Sequence, residues 1–255
     1  MQRSLEVLFA PAELAALQTR DLRQTVCVVF DILRATSTMV TALAHGARSV
    51  RPVTDIAEAI AWHRTHPDVL LAGEREGLRI PAALTGGREF DLGNSPREFT
   101  PERVAGKDLV MTTTNGTRAL RTCAAAGAFR VLPAAFLNLG AVTRHLERHP
   151  PDHLLLVGSG TLDQTAFEDT LAAGALAHAL WPAYGDRAAT DSAHIARHLY
   201  QPFISRLPEA ARHSRNGRRL LAHSELHADV AFCFQQDVFP VVLERQPDGA
   251  VRKTT

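Results

Sequence analysis

The stretch that best indicates the fold is Asp108-Leu-Val-Met-Thr-Thr-Thr-Asn-Gly-Thr-Arg118. Its short apolar run ends in a row of threonines, and helix-forming residues follow Arg118, which predicts a strand, a polar turn and the start of a helix. Such a turn directs backbone N–H groups and hydroxyls toward one point beside the positive end of the helix dipole, where an anion binds well. Because Thr and Asn are also ordinary helix caps, a capped helix with nothing bound is the alternative interpretation.

The same order of strand, polar turn and helix recurs along the chain. The continuous apolar run Val26–Phe30 is typical of a strand that is covered on both faces, and a helical pattern runs from Asp31 to Ala44. Shorter strands are predicted at Leu5–Phe9, Ser49–Val53, Val69–Ala72, Leu109–Met111, Arg130–Pro133 and Leu154–Val157. This alternation predicts an α/β protein with a mostly parallel sheet and helices on both faces.

The remaining segments have a less regular pattern. Residues 77–107 are rich in Gly and Pro and are predicted to form a long loop. Helices are predicted near residues 167–181, 186–206 and 208–223, and two late strands at Asp229–Phe234 and Val238–Glu244. The whole chain, residues 1–255, is predicted to form one α/β domain, either as a single body or as two lobes around a cleft.

Composition excludes several classes of function. The 255 residues are 45% apolar and 22% charged, with a formal net charge of +1, so no global field favours nucleic acid or a membrane surface. The uncharged stretches are too short to span a bilayer, and the charged start has no signal-peptide pattern. The three separated cysteines fit buried thiols of a reducing compartment. These features predict a cytoplasmic protein without nucleic-acid or membrane partners, and they leave a homo-oligomer open.

Chemically useful side chains follow several of the predicted strands. In open α/β sheets, ligands bind outside the carboxyl ends of the strands, so these groups are expected to converge. The groups are Asp31 with Arg34, Glu74 with Arg75, the turn Thr112–Arg118, and Gly158–Thr161 with Glu168 and Asp169 just beyond. Carboxylates that face a polyanion would repel it, and Mg²⁺ between them would remove that conflict. The sequence therefore predicts a metal-assisted site for a phosphorylated anion.

Individual residues at these positions have alternative interpretations. Asp31 stands between a strand and a helix, so it could be a nucleophile, a metal ligand or a helix N-cap. Residue 33 is leucine, so the Asp-x-Asp pattern of the haloacid-dehalogenase phosphatases is missing. Histidine pairs such as His145 and His149 lack the surrounding ligands of a zinc site, and the basic segment Arg206–Arg219 is interpreted as a solvated helical face.

Several motifs together resemble the 2-phosphosulfolactate phosphatase family, the ComB proteins of coenzyme M biosynthesis. They are Asp31-Ile-Leu-Arg-Ala-Thr-Ser-Thr38, Gly73-Glu-Arg75, Phe90-Asp-Leu-Gly-Asn-Ser-Pro96, Thr112-Thr-Thr-Asn-Gly-Thr-Arg118, Gly160-Thr161, Phe167-Glu-Asp169 and Asp229-Val-Ala-Phe-Cys233. The resemblance spans nearly the whole chain in the same order. It implies a three-layer α/β/α fold and a Mg²⁺-dependent phosphatase that converts (R)-2-phospho-3-sulfolactate to sulfolactate and phosphate.

The chain departs from the usual pattern of that family at four positions. Glu76 stands where the family usually has glycine, and Ser159 where it usually has alanine. Ala166 and Leu171 stand where the family usually has serine and cysteine. These departures leave the phosphatase class intact and bear on the exact substrate.

The resemblance and the strand ends combine into one hypothesis for the site. Asp31 is the candidate nucleophile or general base, and Arg34 belongs with it to the predicted catalytic set. The predicted substrate ligands are Arg75, Asn94, Thr113, Thr114, Asn115, Gly116, Thr117 and Arg118, and the predicted Mg²⁺ ligands are Glu74, Asp91, Glu168 and Asp169. The substrate is expected to be a small polyanionic phosphate ester. A phosphatase for another small phosphorylated hydroxy acid and a non-catalytic anion-binding homologue are the alternatives.

Overall fold

Strands and helices alternate along most of the chain, as the sequence predicts. The computed structural model describes residues 3–254 apart from the side chains of Gln18 and Asp186, so the predicted domain limits at residues 1 and 255 lie outside the described residues. The strands are β1 Ser4–Leu8, β2 Thr25–Phe30, β3 Ser49–Pro52, β4 Leu70–Arg75, β5 Leu78–Arg79, β6 Asp108–Thr112, β7 Arg130–Ala134, β8 His153–Gly158, β9 Leu243–Arg245 and β10 Val251–Lys253. The α-helices are α1 Pro11–Ala15, α2 Ala35–Ala44, α3 Ile56–Thr65, α4 Pro101–Val104, α5 Gly116–Ala125, α6 Leu139–Arg148, α7 Phe167–Ala188, α8 Asp191–Tyr200, α9 Arg215–Leu221 and α10 His227–Cys233.

The strands form two sheets. The first is parallel throughout, with the order β1-β8-β2-β7, and all six residues of its central strand β2 are buried. The second has the order β5-β4-β6-β3-β10-β9, with parallel pairing from β4 to β3 and antiparallel pairing at both of its ends. With their covering helices, the two sheets confirm a three-layer α/β/α fold of mixed sheet type.

Two apolar clusters hold the layers together. The larger one runs from β1 and β2 through α2, α5 and α7 to the C-terminal strands, and a smaller one packs under α3 around Val53, Leu71 and Phe90. Helix α7 contacts β1, β8 and β2, whereas α2 and α5 contact β7 and β3. Within residues 3–254, no helix has both the length and the apolar character to cross a membrane.

The predicted strand Asp229–Phe234 is wrong, because these residues belong to helix α10 and its C-cap. Burial there follows helical spacing, with Asp229, Val230 and Cys233 inside and the residues between them turned outward. The run is short and apolar, so its periodicity alone does not separate a strand from a helix. The second late strand is shorter than predicted, since only Leu243–Arg245 pairs with a neighbour.

Two helical predictions also need correction. The helix predicted from Asp31 begins at Ala35, because the Asp31 carboxylate accepts a hydrogen bond from the Ala35 N–H and residues 31–34 form a turn. The segment predicted as a helix near 208–223 is divided into a 3₁₀ stretch, Leu207–Arg212, and helix α9. Ser214 caps α9 by accepting the Gly217 N–H, which places a new helix start inside the predicted one.

Candidate active site

A cavity of about 130 Å³ lies at the carboxyl ends of β2, β4 and β6. Each strand is followed by residues that line the cavity, since parallel strands of one layer end at the same edge. Helix α9 and the loop after β8 close it from the other side. The lining residues are Asp31, Leu33, Arg34, Glu74, Glu76, Gly77, Asn94, Thr113, Thr114, Asn115, Thr161, Leu162, Asn216, Arg219 and Leu220. The cavity is therefore small, polar and formed from distant parts of the chain.

Asp31 is a buried carboxyl group in the wall of this cavity. Burial raises its pKa to about 7, and the nearby carboxylates of Glu168 and Glu74 contribute to the rise. Hydrogen bonds from the backbone N–H groups of Ala35 and Gly116 oppose it. A carboxyl group with this pKa exchanges its proton near neutral pH, which suits a nucleophile or a general base.

Gly116 leaves the space that Asp31 occupies. A methyl group at residue 116 would lie 2.7 Å from Asp31 Oδ2 and 2.7 Å from Ala35 Cβ. We expect Gly116→Ala to lower the free energy of unfolding by on the order of 1–2 kcal/mol, because Asp31 or the start of α2 must shift. Denaturant unfolding measures the loss, with Thr122→Ala on the same helix as a control; equal stability of Gly116→Ala and wild type would contradict the close contact.

Glu74 occupies the turn that the sequence predicts as an anion cradle. The backbone N–H of Thr114 and its hydroxyl both donate to Glu74 Oε1, over 3.0 and 2.9 Å, and the Gly77 N–H donates to Oε2 over 2.8 Å. The donors of the turn therefore do hold an oxyanion, and in this structure that oxyanion is a carboxylate of the chain itself. A bound substrate would compete with Glu74 for the donors of Thr114.

Two further carboxylates lie behind Asp31, at the start of α7. Asp169 accepts hydrogen bonds from the backbone N–H groups of Ile32 and Gly160, over 2.9 and 3.1 Å. Burial, with the charges of Glu168 and Asp31, raises the pKa of Asp169 well above its usual value. These buried acids repel one another, so a bound cation would relieve the repulsion.

Glu168 is held by residues at the start of helix α9. Its carboxylate accepts from the Ser214 hydroxyl over 2.5 Å and from Asn216 Nδ2 over 2.7 Å. Glu168 is itself buried, so these bonds fasten α9 across the cavity from β2. This contact explains how a helix that begins at residue 215 reaches a site formed by strands much earlier in the chain.

The donors that line the cavity fit a hard cation such as Mg²⁺. Among residues 3–254, no group of three His, Cys, Asp or Glu side chains is placed to hold a metal. Mg²⁺, however, is usually bound through one or two carboxylates together with water and substrate oxygens. Asn94 Oδ1 and Thr113 Oγ1 are buried oxygen atoms in cavity-lining residues and lack a hydrogen-bond partner in the described part of the chain. With Asp31, they supply oxygen ligands of the type that Mg²⁺ prefers.

Arg34 lines the cavity, but its charge is balanced within the protein. It forms a buried ion pair with Asp229 over 2.7 Å and donates to the Gly77 carbonyl over 2.6 Å. Ser95 holds the other oxygen of Asp229 over 2.6 Å. Arg34 therefore anchors the loop after β4 to helix α10, and its guanidinium has little capacity left for a substrate anion.

Several predicted site residues are not brought to the cavity. The Arg75 guanidinium donates to the Glu74 carbonyl and to the Thr112 hydroxyl, and Arg75 does not line the cavity. Thr117 is buried and donates its hydroxyl to the Thr113 carbonyl, as helix-interior threonines do. Both side chains are committed to neighbouring backbone or hydroxyl groups.

Asp91 and Arg118 also lie away from the cavity. Asp91 accepts the Leu71 N–H over 2.8 Å and pairs with Arg88, so it fastens a loop to β4. Arg118 points to solvent, where it forms an exposed pair with Asp163 over 3.3 Å. The cavity lining thus retains Asp31, Arg34, Glu74, Asn94 and the Thr113–Asn115 turn from the predicted set, with Glu168 and Asp169 directly behind it.

Arg219 and Asn216 line the cavity although the sequence gave no sign of their role. Arg219 is exposed at the cavity mouth, near Gly77, and forms no ion pair with any described residue. Interpreting residues 206–219 as a solvated face overlooked this position, because only the long-range contact with Glu168 turns α9 toward the cavity. The capping Ser214 was a local signal for the helix but not for the site.

These features define the class of protein. A three-layer α/β/α fold with a carboxylate, hydroxyls and an arginine around a small cavity at the strand ends is the architecture of an enzyme for small anionic substrates. The model of the 2-phosphosulpholactate phosphatase family matches residues 12–247. The chain therefore belongs to the 2-phosphosulfolactate phosphatase family, whose members are named as phosphoric monoester hydrolases.

Similar proteins come from diverse bacteria. The chain is 39% identical to a protein of Pseudothermotoga lettingae over 93% of the chain and 94% of that protein. It is 42% identical to a protein of a Synechococcus strain, over 88% and 90% of the two chains, and 37% identical to one of Caldanaerobacter subterraneus, over 93% and 94%. Each of these relatives is named a probable 2-phosphosulfolactate phosphatase.

Proposed function

We propose that this chain is a Mg²⁺-dependent phosphatase that hydrolyses 2-phosphosulfolactate to sulfolactate and phosphate. The observation that carries the proposal is the cavity itself: in a chain that matches the family over residues 12–247, Asp31 and two unpartnered oxygens of Asn94 and Thr113 line one small pocket. Relatives named for this activity cover nearly the whole chain. Family, fold and donor chemistry therefore support the same reaction class.

Each residue in the cavity has a proposed task. Asp31 attacks phosphorus or takes a proton from the attacking water, and its pKa of about 7 suits either task. Mg²⁺, held by Asp31 with the Asn94 and Thr113 oxygens, would neutralise phosphoryl charge. Arg219 binds a non-reacting anionic group of the substrate at the mouth, since its guanidinium is not paired within the described residues.

The positions of the arginines favour a second candidate substrate of the same reaction class. Phosphosulfolactate carries three anionic groups, whereas Arg34 is already paired with Asp229 and Arg118 lies outside the cavity. A substrate with one anionic group fewer, such as phospholactate, would need fewer free cations. The protein would then be a phosphatase for another small phosphorylated hydroxy acid.

Phosphate release from the purified protein tests both candidates. We expect release from 2-phosphosulfolactate in Mg²⁺, its loss in EDTA, and a higher kcat/KM than for phospholactate, because the sulfonate adds a contact with a cation. Equal kcat/KM values would contradict the sulfonated substrate and keep the enzyme class. The absence of any Mg²⁺-dependent release would instead favour a non-catalytic anion-binding protein.

A further inference from the structure

A second cleft, the arginine cleft, lies between β3, α3, α5 and the turn that joins β9 to β10. Its volume is about 540 Å³, and none of its lining residues lines the reaction cavity. Four arginines from three separate parts of the chain face it: Arg51, Arg118, Arg121 and Arg245. Two acids, Glu58 and Asp248, also line it, so the cleft has a surplus of two positive charges.

The two acids are already engaged. Glu58 pairs with Arg121 over 2.9 Å. Asp248 holds Arg252, outside the cleft, over 2.6 Å and lies 3.9 Å from Arg51. The charges of the cleft are therefore only partly compensated by the chain.

Arg245 is the clearest sign of a missing ligand. Its Nε is buried and has no hydrogen-bond partner among residues 3–254. A methyl group at Gly249 would lie 3.1 Å from Arg51 Nη1 and 3.4 Å from Arg245 Nη2, so two guanidinium groups converge on the same glycine. Burial and the charges of Arg121 and Arg51 lower the pKa of Arg245. An unpaired buried donor and converging like charges both cost free energy that an anion would recover.

We propose that the arginine cleft binds a compact oxyanion with two or more negative charges, of the diphosphate type. Guanidinium groups match phosphate oxygens through paired N–H donors. The Trp62 ring lies 4.0 Å from the Arg51 guanidinium and holds its plane in position. The volume suits one small molecule. An extended polyanion such as nucleic acid is disfavoured because the whole chain has a net charge of only +1.

Calorimetric titration of the full chain with inorganic pyrophosphate in EDTA tests this site. We expect Arg245→Met to weaken pyrophosphate binding at least tenfold, since a charge-assisted contact is lost. Arg121→Met should weaken it similarly and keeps the test valid if Arg245→Met fails to fold. Thermal unfolding without ligand confirms that each variant is folded.

Arg144→Met is the matched control, because it removes the same charge from an exposed position on α6 that does not line the cleft. It should bind pyrophosphate within about twofold of wild type. The proposal is overturned if wild type does not bind pyrophosphate, or if the Arg245→Met and Arg121→Met variants bind it as wild type does. It is also overturned if Arg219→Met abolishes binding while they do not, because the anion then lies in the reaction cavity.

Discussion

Replacing Asp31 with asparagine is expected to lower kcat for phosphate release about a thousandfold or more. The substitution keeps the shape of the side chain but removes the carboxylate that attacks phosphorus or accepts the proton of water. The measurement is the rate of phosphate release at saturating 2-phosphosulfolactate and Mg²⁺. Activity within tenfold of wild type would remove Asp31 from the chemistry.

The same substitution is expected to stabilise the protein at neutral and alkaline pH. The pKa of Asp31 is about 7 in the folded state against an ordinary value of 3.8. Between these values the folded state keeps a proton that the unfolded state has released, so the free energy of unfolding falls as pH rises from about 4 to 7. Asparagine does not ionise, so Asp31→Asn should be more stable than wild type by about 2–4 kcal/mol at pH 8 in EDTA.

A second buried aspartate provides a control with the opposite sign. Asp229 has a cationic partner, Arg34, over 2.7 Å, and it also accepts from Ser95. Asp229→Asn would leave the Arg34 charge buried without its partner, so it should lower the free energy of unfolding at pH 8. Stabilisation by both substitutions, or by neither, would show that the environment of Asp31 is not the cause of its effect.

The part of the site that the sequence predicted consists of residues that directly follow strands. Asp31, Glu74 and the Thr113–Asn115 turn were placed by the apolar runs before them, and the carboxyl ends of parallel strands share one edge. The structure brings exactly these groups to one cavity. Local periodicity was sufficient here because it determines where a strand ends and therefore which residue comes next.

The direction of a side chain and its distant partners could not be predicted in this way. Arg118 follows the same turn as Thr114, yet each helical residue rotates the side chain by about 100°, and the packing of α5 turns Arg118 toward the arginine cleft. Arg219 reaches the cavity because Glu168 holds the start of α9. The fold of α10 was likewise determined by contacts of Asp229 with Arg34, far away in the sequence.

Replacing Arg219 with methionine is expected to lower kcat/KM for 2-phosphosulfolactate about tenfold to a hundredfold, mainly through KM. The guanidinium lies at the cavity mouth without an ion pair in the described residues, so it is available for a sulfonate or carboxylate. A hydrogen bond to a charged group contributes about 1.5–3 kcal/mol, which corresponds to that range. Binding of a non-reacting group changes KM more than kcat when the contact is equally strong in substrate and transition state.

Arg218→Met is the matched control for this prediction, because Arg218 belongs to the same helix and donates to the carbonyls of Arg212 and His213 instead of facing the cavity. It should change kcat/KM less than twofold to threefold. Phospholactate identifies the group that Arg219 binds: if it is the sulfonate, Arg219→Met should remove most of the preference for 2-phosphosulfolactate and leave phospholactate hydrolysis nearly unchanged. An equal loss for both substrates would assign the carboxylate or phosphate to Arg219, because both substrates carry these groups. No loss for either substrate would place the recognition of the non-reacting anionic groups elsewhere in the cavity.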